Sequence, residues 1–246
     1  MMILRRAVFV LLACVAAALP VARAEILTPP QQEAIRTLVR NYLLAHPEII
    51  IEALAGLEER QKAEAASSQA QALRARRADL QGDPASPWVG STEPDLVIIE
   101  FFDYRCQYCK QVVSALTQLV ASDAKLRVVY KELPILGPDS ELAARAALAA
   151  HRQGRYARYH AALMARRGPF DEATLLALAG EHGLDTTRLK ADMARSEIGA
   201  QIDRNRALAR ELGIRGTPAF VIGETIVPGA IDLETMRGLV AQARRR

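Results

Sequence analysis

The chain has 246 residues, half of them apolar, with 32 basic residues against 28 acidic ones and three cysteines. That is a globular composition, and so few cysteines exclude a disulfide-stapled scaffold, which needs cross-links spread along the whole sequence. A net charge of +4 is no argument for nucleic acid, because most of the excess sits in the first segment.

In that segment Arg5 and Arg6 form a basic start, Ala7 to Leu19 an apolar stretch too short to span a bilayer, and Ala22-Arg23-Ala24 a small-residue cleavage site. Residues 1–24 therefore read as a signal peptide, cut after Ala24. Leu11-Leu12-Ala13-Cys14 also fits a lipoprotein box with a lipidated Cys14, a reading that the better site downstream argues against. Cleavage removes Arg5, Arg6 and Arg23 but no acidic residue, so the net charge falls to about +1, and only Cys106 and Cys109 remain. The expectation is an exported, periplasmic chain that does not span the membrane after cleavage and has no nucleic-acid partner.

Residues 25–81 read as an N-terminal helical arm. Thr28-Pro29-Pro30-Gln31 is a helix start with Thr28 as N-cap and Gln31 reaching back, and Ile35, Leu38, Val39, Tyr42 and Leu43 follow at helical spacing. His46-Pro47 breaks this helix and starts another, which runs without proline to about Gln81 with Ile50, Ile51, Leu54 and Leu57 early in it. At about 1.5 Å per residue such a helix reaches roughly 50 Å, longer than a small domain is wide. Its apolar stripe needs a partner, either the same residues of a second subunit in a homo-oligomer or a hairpin folded back on its own domain. Beyond Leu57 only Leu73 and Leu80 continue the pattern, so that part is expected to be a connector.

The turn cluster Gly82 to Pro87 marks the boundary of a second domain, residues 82–246. Trp88 and Val89 suit a short edge strand, and Leu96 to Phe102 is an apolar run broken by one acid, Glu100, as in a strand covered on both faces. A helix with apolar Val112, Val113, Leu116, Leu119 and Val120 follows, then a strand over Leu126 to Tyr130. Residues 138–212 form a helical insertion of four or five short helices, broken at Gly154, Gly168-Pro169, Gly183 and Ser196. Ala219 to Ile222 and Thr225 to Val227 make a hairpin, closed by a helix from about Asp232 to Arg244.

Cys106 and Cys109 start the helix that follows the first long strand. Three residues apart, they lie on one helical face and are close enough for a small disulfide. Unpaired backbone N-H groups and about half a positive charge at the helix N-terminus favour a thiolate at Cys106, the expected nucleophile. Cys109, one turn further in, is the expected resolving thiol. A purely structural disulfide closing so short a loop gains little from chain entropy. The four histidines, His46, His151, His160 and His182, are scattered without metal-ligand spacing, so no metal site is expected.

The order β-α-β, helices, β-β-α, with F-F-D-Y-R-C-Q-Y-C-K at Phe101 to Lys110, K-E-L-P at Lys131 to Pro134 and G-T-P at Gly216 to Pro218, resembles the DsbA family of exported thiol-disulfide oxidoreductases. The resemblance implies an α/β architecture: a thioredoxin fold with an inserted helical subdomain, here preceded by the α-helical arm. It implies a cis Pro218 beside the sulfurs, with the Thr217 backbone free to pair with an extended substrate, and a buried acid at Glu100 that exchanges protons with Cys109. Lys131 or Glu132 is the expected partner of Glu100, while Asp103 and Tyr108 shape the site. Gln107-Tyr108 between the cysteines is similar to the isomerases DsbC and DsbG and the ScsC-like branch, and the arm resembles the dimers and trimers of that branch. The reading implied is a disulfide isomerase or reductase acting on exported client proteins with cysteines. It needs no cofactor beyond its own redox-active disulfide, and a membrane or periplasmic redox partner resets it. The competing readings are a monomeric DsbA-like oxidase and a copper-binding or chaperone protein whose two thiols hold Cu(I).

Overall fold

The computed structural model describes residues 27–245, so the signal peptide and its cleavage site lie outside the described residues. Packing divides the chain into one unit ending at Glu59 and a second running from Arg60.

The first unit holds helix α1 (Pro29–Ala45) and the start of α2 (Glu48–Ala75). The helix start is built as its residues suggest: prolines occupy the first turn, where their missing N-H costs nothing, and the Thr28 N-H donates to Gln31 Oε1 at 2.9 Å. No residue of α1 is buried, and Ile35, Leu38, Val39, Tyr42, Ile50, Ile51, Leu54 and Leu57 are all exposed.

In the second unit the end of α2 is packed, contrary to the expectation of a connector. Leu73 is 5 % exposed and, after an interruption at Arg76 (φ −99°, ψ 11°), the short helix α3 (Arg77–Gln81) brings Leu80 to 2 %. Two turns apart, the pair falls on one face and caps one side of the sheet. The arm drawn to Gln81 and the boundary drawn at Gly82 therefore cut through packed structure, and the helix expected to run unbroken to Gln81 is two helices. Two leucines among alanines are a faint stripe, but buried together they contribute about 3–6 kcal/mol.

The sheet has the order β1-β3-β2-β4-β5, formed by β1 (Trp88–Gly90), β2 (Leu96–Phe102), β3 (Leu126–Glu132), β4 (Ala219–Ile222) and β5 (Thr225–Pro228). Central β2 pairs parallel with β3 and antiparallel with β4, which is why it tolerates only one polar residue. The edge strand ends at Gly90 (φ +99°), where a Cβ would collide with the Leu126 carbonyl.

Strand alternation divides the core in two. Ile98, Phe102, Val128, Tyr130, Phe220 and Ile222 pack against α4 (Gln107–Ser122), α10 (Leu233–Arg244) and the inserted helices. Ile99, Phe101, Val129 and Val221 face Leu73, Leu80 and the end of α9. The insertion comprises α5 (Pro138–Arg152), α6 (Tyr156–Ala165), α7 (Glu172–Glu181), α8 (Thr186–Met193) and α9 (Ser196–Glu211), with breaks at the expected glycines. Asp171 and Asp185 cap α7 and α8 by accepting from the N-H groups of Thr174 and Arg188.

Candidate active site

Both cysteines are brought to the C-terminal end of β2. Cys106 is the N-cap of α4, and its Sγ accepts from the Cys109 N-H at 3.4 Å. Both thiols are reduced and buried, Cys109 completely. The Cys106 thiol is pushed down to about 6, first by the hydrogen bond from the Cys109 thiol, with burial opposing and Thr217 and the helix N-H groups assisting. Cys109 moves the other way: its proton is held by the bond to Cys106 and by burial. One thiol is thus ionised and the other protonated at neutral pH.

The Thr217-Pro218 peptide, at the start of β4, is cis. It faces the pair, with the Thr217 carbonyl oxygen 3.2 Å from Cys106 Sγ, positioned to accept from the thiol when it is protonated. Gln107 and Tyr108 are exposed beside Cys106. Glu100 lies on the central strand, 2 % exposed, and burial together with the Cys106 charge pushes its carboxyl up to about 8. It also bears on Cys109. Cys106, Cys109, Thr217 and Pro218 thus meet at one point, Glu100 acts on both sulfurs through its charge, and Gln107 and Tyr108 lie at the surface.

The expected partner of Glu100 is corrected. In the parallel register Glu100 is opposite Tyr130, and Lys131 is opposite Phe101, on the other face. There Lys131 Nζ, 1 % exposed, donates to the Asp79 carbonyl (2.6 Å) and Ser86 Oγ (2.7 Å) and pairs with Asp83 at 3.5 Å. Glu132 shares the face of Glu100 but is engaged elsewhere: its Oε1 accepts from the hydroxyls of Tyr104 (3.1 Å) and Tyr156 (2.9 Å). Its Oε2 is buried without a partner among the described residues, and burial raises its pKa. The Tyr104 oxygen is 2.9 Å from His160 Nδ1, and burial holds that ring neutral, its pKa down to about 3. With Tyr104 donating to Glu132, the His160 Nδ1-H donates to Tyr104.

This buried cluster escaped the sequence reading, which took His160 as one of several scattered histidines. The signal was present in the spacing of Tyr156, His160 and Leu163 on one face of α6. Asp103 shapes the site as expected. Its Oδ1 accepts from the Arg105 N-H (2.7 Å) and the Ser140 hydroxyl (2.8 Å), and its Oδ2 from the N-H groups of Ile135 (2.9 Å) and Leu136 (3.1 Å).

A family model described as the DSBA-like thioredoxin domain matches residues 97–241. The chain belongs to the DSBA-like thioredoxin family. Its fold is the thioredoxin-like fold of that family, and its class is that of the thiol-disulfide oxidoreductases. A second model, the N-terminal domain of copper resistance protein ScsC, matches residues 31–64. Among solved structures, a thioredoxin-like oxidoreductase from Silicibacter pomeroyi is 44 % identical, covering 69 % of this chain and 98 % of its own, with a TM-score of 0.67. A linker-deletion variant of Proteus mirabilis ScsC is 30 % identical over 91 % of this chain and 99 % of its own, TM-score 0.68. A periplasmic thioredoxin-like protein from Salmonella enterica is 32 % identical over 69 % and 96 %, TM-score 0.64. The chain spans about a quarter of the length of the curated relatives it matches, such as the sodium/proton antiporter NhaA 1 of Salinispora arenicola, 29 % identical over 156 residues, 63 % of this chain and 24 % of the antiporter.

Proposed function

We propose that this chain is an exported, periplasmic oxidoreductase that exchanges the disulfides of client proteins, with isomerisation or reduction as its direction. The observation that carries the reading is the ionised Cys106 at the N-terminus of α4, facing the Thr217 carbonyl, with protonated Cys109 buried one turn behind. The Cys106 thiolate attacks one sulfur of a client disulfide. The client S-S bond breaks, its other sulfur leaves as a thiolate, and a mixed disulfide forms. Attack by a second client thiolate on that mixed disulfide releases a rearranged client; attack by Cys109 releases a reduced client and leaves Cys106 and Cys109 oxidised.

Glu100 is suited to the second route. Once Cys106 is bonded to the client its negative charge is gone, and with it one of the two causes that keep the Glu100 carboxyl protonated. Glu100 ionises more readily at the moment Cys109 must lose its proton. Thr217 and Pro218 position the client chain, and Gln107 and Tyr108 line its approach. The reaction needs no cofactor other than the Cys106-Cys109 disulfide, which a membrane or periplasmic partner returns to the working state.

Export is supported by the periplasmic description of the Salmonella relative. The exposed apolar residues of the first unit and the ScsC match over residues 31–64 support a homo-oligomer, dimer or trimer, built through the arm. Copper binding is a second reading, favoured by the name of the ScsC protein, but no group of three or more potential ligands occurs among the described residues, so one chain offers Cu(I) two sulfurs.

Refolding of scrambled ribonuclease tests the proposal. The intact protein is expected to restore activity, Cys106→Ser to restore none, and Cys109→Ala to accumulate mixed disulfides with clients. Full exchange by Cys106→Ser would overturn it.

A further inference from the structure

We propose that a cavity of about 490 Å³ beside the Thr217-Pro218 turn, walled by Leu133, Ile135, Ile214, Arg210 and Arg215, is a substrate subsite for an acidic and apolar segment of the client polypeptide next to the disulfide under attack. The inference rests on the oxidoreductase reading and adds to it the charge of the preferred client.

Position is the first argument. Both walls of the cavity run directly into the reactive centre. Ile135 belongs to the loop whose N-H groups are held by Asp103, and the Asp103 carbonyl in turn accepts from the Cys106 N-H. Arg215 precedes Thr217 by two residues, and the Thr217 carbonyl touches Cys106. An extended chain covers about 7 Å in two residues, so a client held along Thr217 has its next side chains at the cavity mouth. The volume falls within the range of about 300–1,000 Å³ typical of ligand pockets, enough for a short peptide segment.

Chemistry is the second. The floor is apolar, with Leu133, Ala209 and Ile214 buried, and Ile135 and Leu136 stand exposed at its edge. Arg206 is committed to the Pro134 carbonyl, Glu141 and Asp203. Arg210 and Arg215 are exposed and have no carboxylate partner among the described residues. Arg210 lies in the last turn of α9, where the helix dipole alone favours a cation, but Arg215 lies beyond the helix and needs another reason. Arg105 donates to the Leu136 carbonyl on the same lip, and the charges of Arg166 and Arg167 bear on Lys110. Two exposed arginines over an apolar floor complement an acidic, apolar strand.

Two disulfide peptides that differ only in the residues flanking the cysteine, Asp-Leu in one and Lys-Leu in the other, test this with the full-length protein. Hydroxyethyl disulfide serves as a neutral reference to which each rate is divided. The wild type is expected to show a KM about tenfold lower for the acidic peptide, the scale of one exposed arginine-carboxylate attraction in it plus the like-charge repulsion of the lysine peptide. R210Q/R215Q should erase the preference and R210E/R215E should reverse it. Equal KM values in the wild type, or a preference that survives both double variants, overturns the subsite while turnover of hydroxyethyl disulfide leaves the oxidoreductase reading standing. Equal KM values in the wild type accompanied by arginine-dependent binding to phosphatidylglycerol vesicles also overturn it, since the arginines then face a membrane. No turnover of hydroxyethyl disulfide removes both readings together.

Discussion

Cys106 and Glu100 titrate in opposite senses, and each makes a separate pH prediction. A Cys106 thiol near 6 predicts that its alkylation by iodoacetamide rises through a midpoint about three units below that of an ordinary thiol, read as rate against pH. Glu100 has a folded-state value near 8 against an ordinary 4.5, so the folded form holds its proton more tightly. Its contribution to stability is fully present below about 4.5 and is lost as pH rises toward 8. Glu100→Gln should remove this loss, gaining several kcal/mol at pH 8 at about 1.4 kcal/mol per unit, while slowing release of the mixed disulfide by roughly a hundredfold. Urea unfolding across pH and single-turnover kinetics separate the two effects. The cysteine pair could be read from the chain because its geometry is local, three residues on one helix. The partner of Glu100 could not, since Lys131 and Glu132 are neighbours on a strand and therefore face opposite ways, and only the register with β2 decides which one shares its side.

At the scale of elements, Lys131 is what holds α3 and the Asp83 turn to the sheet. Its ammonium is buried, and its partners come from residues roughly fifty positions earlier in the chain. Lys131→Met should strip Asp83 of its cation and the Asp79 carbonyl of its ammonium donor and destabilise the fold by about 3 kcal/mol, measured by thermal or urea unfolding, with little change in the rate at which Cys106 is alkylated. Element existence was legible where punctuation is strong: the glycines of the insertion and the Gly223 turn between β4 and β5. The role of residues 60–81 was not, because Leu73 and Leu80 owe their burial to Ile99, Phe101 and Val221, which no local pattern connects to them.

For the whole molecule, the division at Glu59 and Arg60 predicts where the chain can be shortened. A chain starting at Arg60 should retain a cooperative unfolding transition and lose the oligomer, seen as a fall in mass by light scattering; one starting at Gly82 should also lose Leu73 and Leu80 from the core and several kcal/mol with them. If the shortened Arg60 chain keeps the mass of the intact protein, the arm does not assemble it. Loss of scrambled-ribonuclease refolding in the monomer, with thiol reactivity intact, would place isomerisation in the assembly, where several sites act on one client at high effective concentration.

The carboxylate of Asp103 gives these scales a common mechanical point. It accepts four hydrogen bonds, from the cysteine loop, from two successive amides of the loop after β3, and from Ser140 in the first turn of α5. The turn that carries Cys106, the apolar lip of the cavity and the entrance to the insertion are therefore riveted through one side chain. Any ligand that displaces the lip would pull on the turn that carries Cys106.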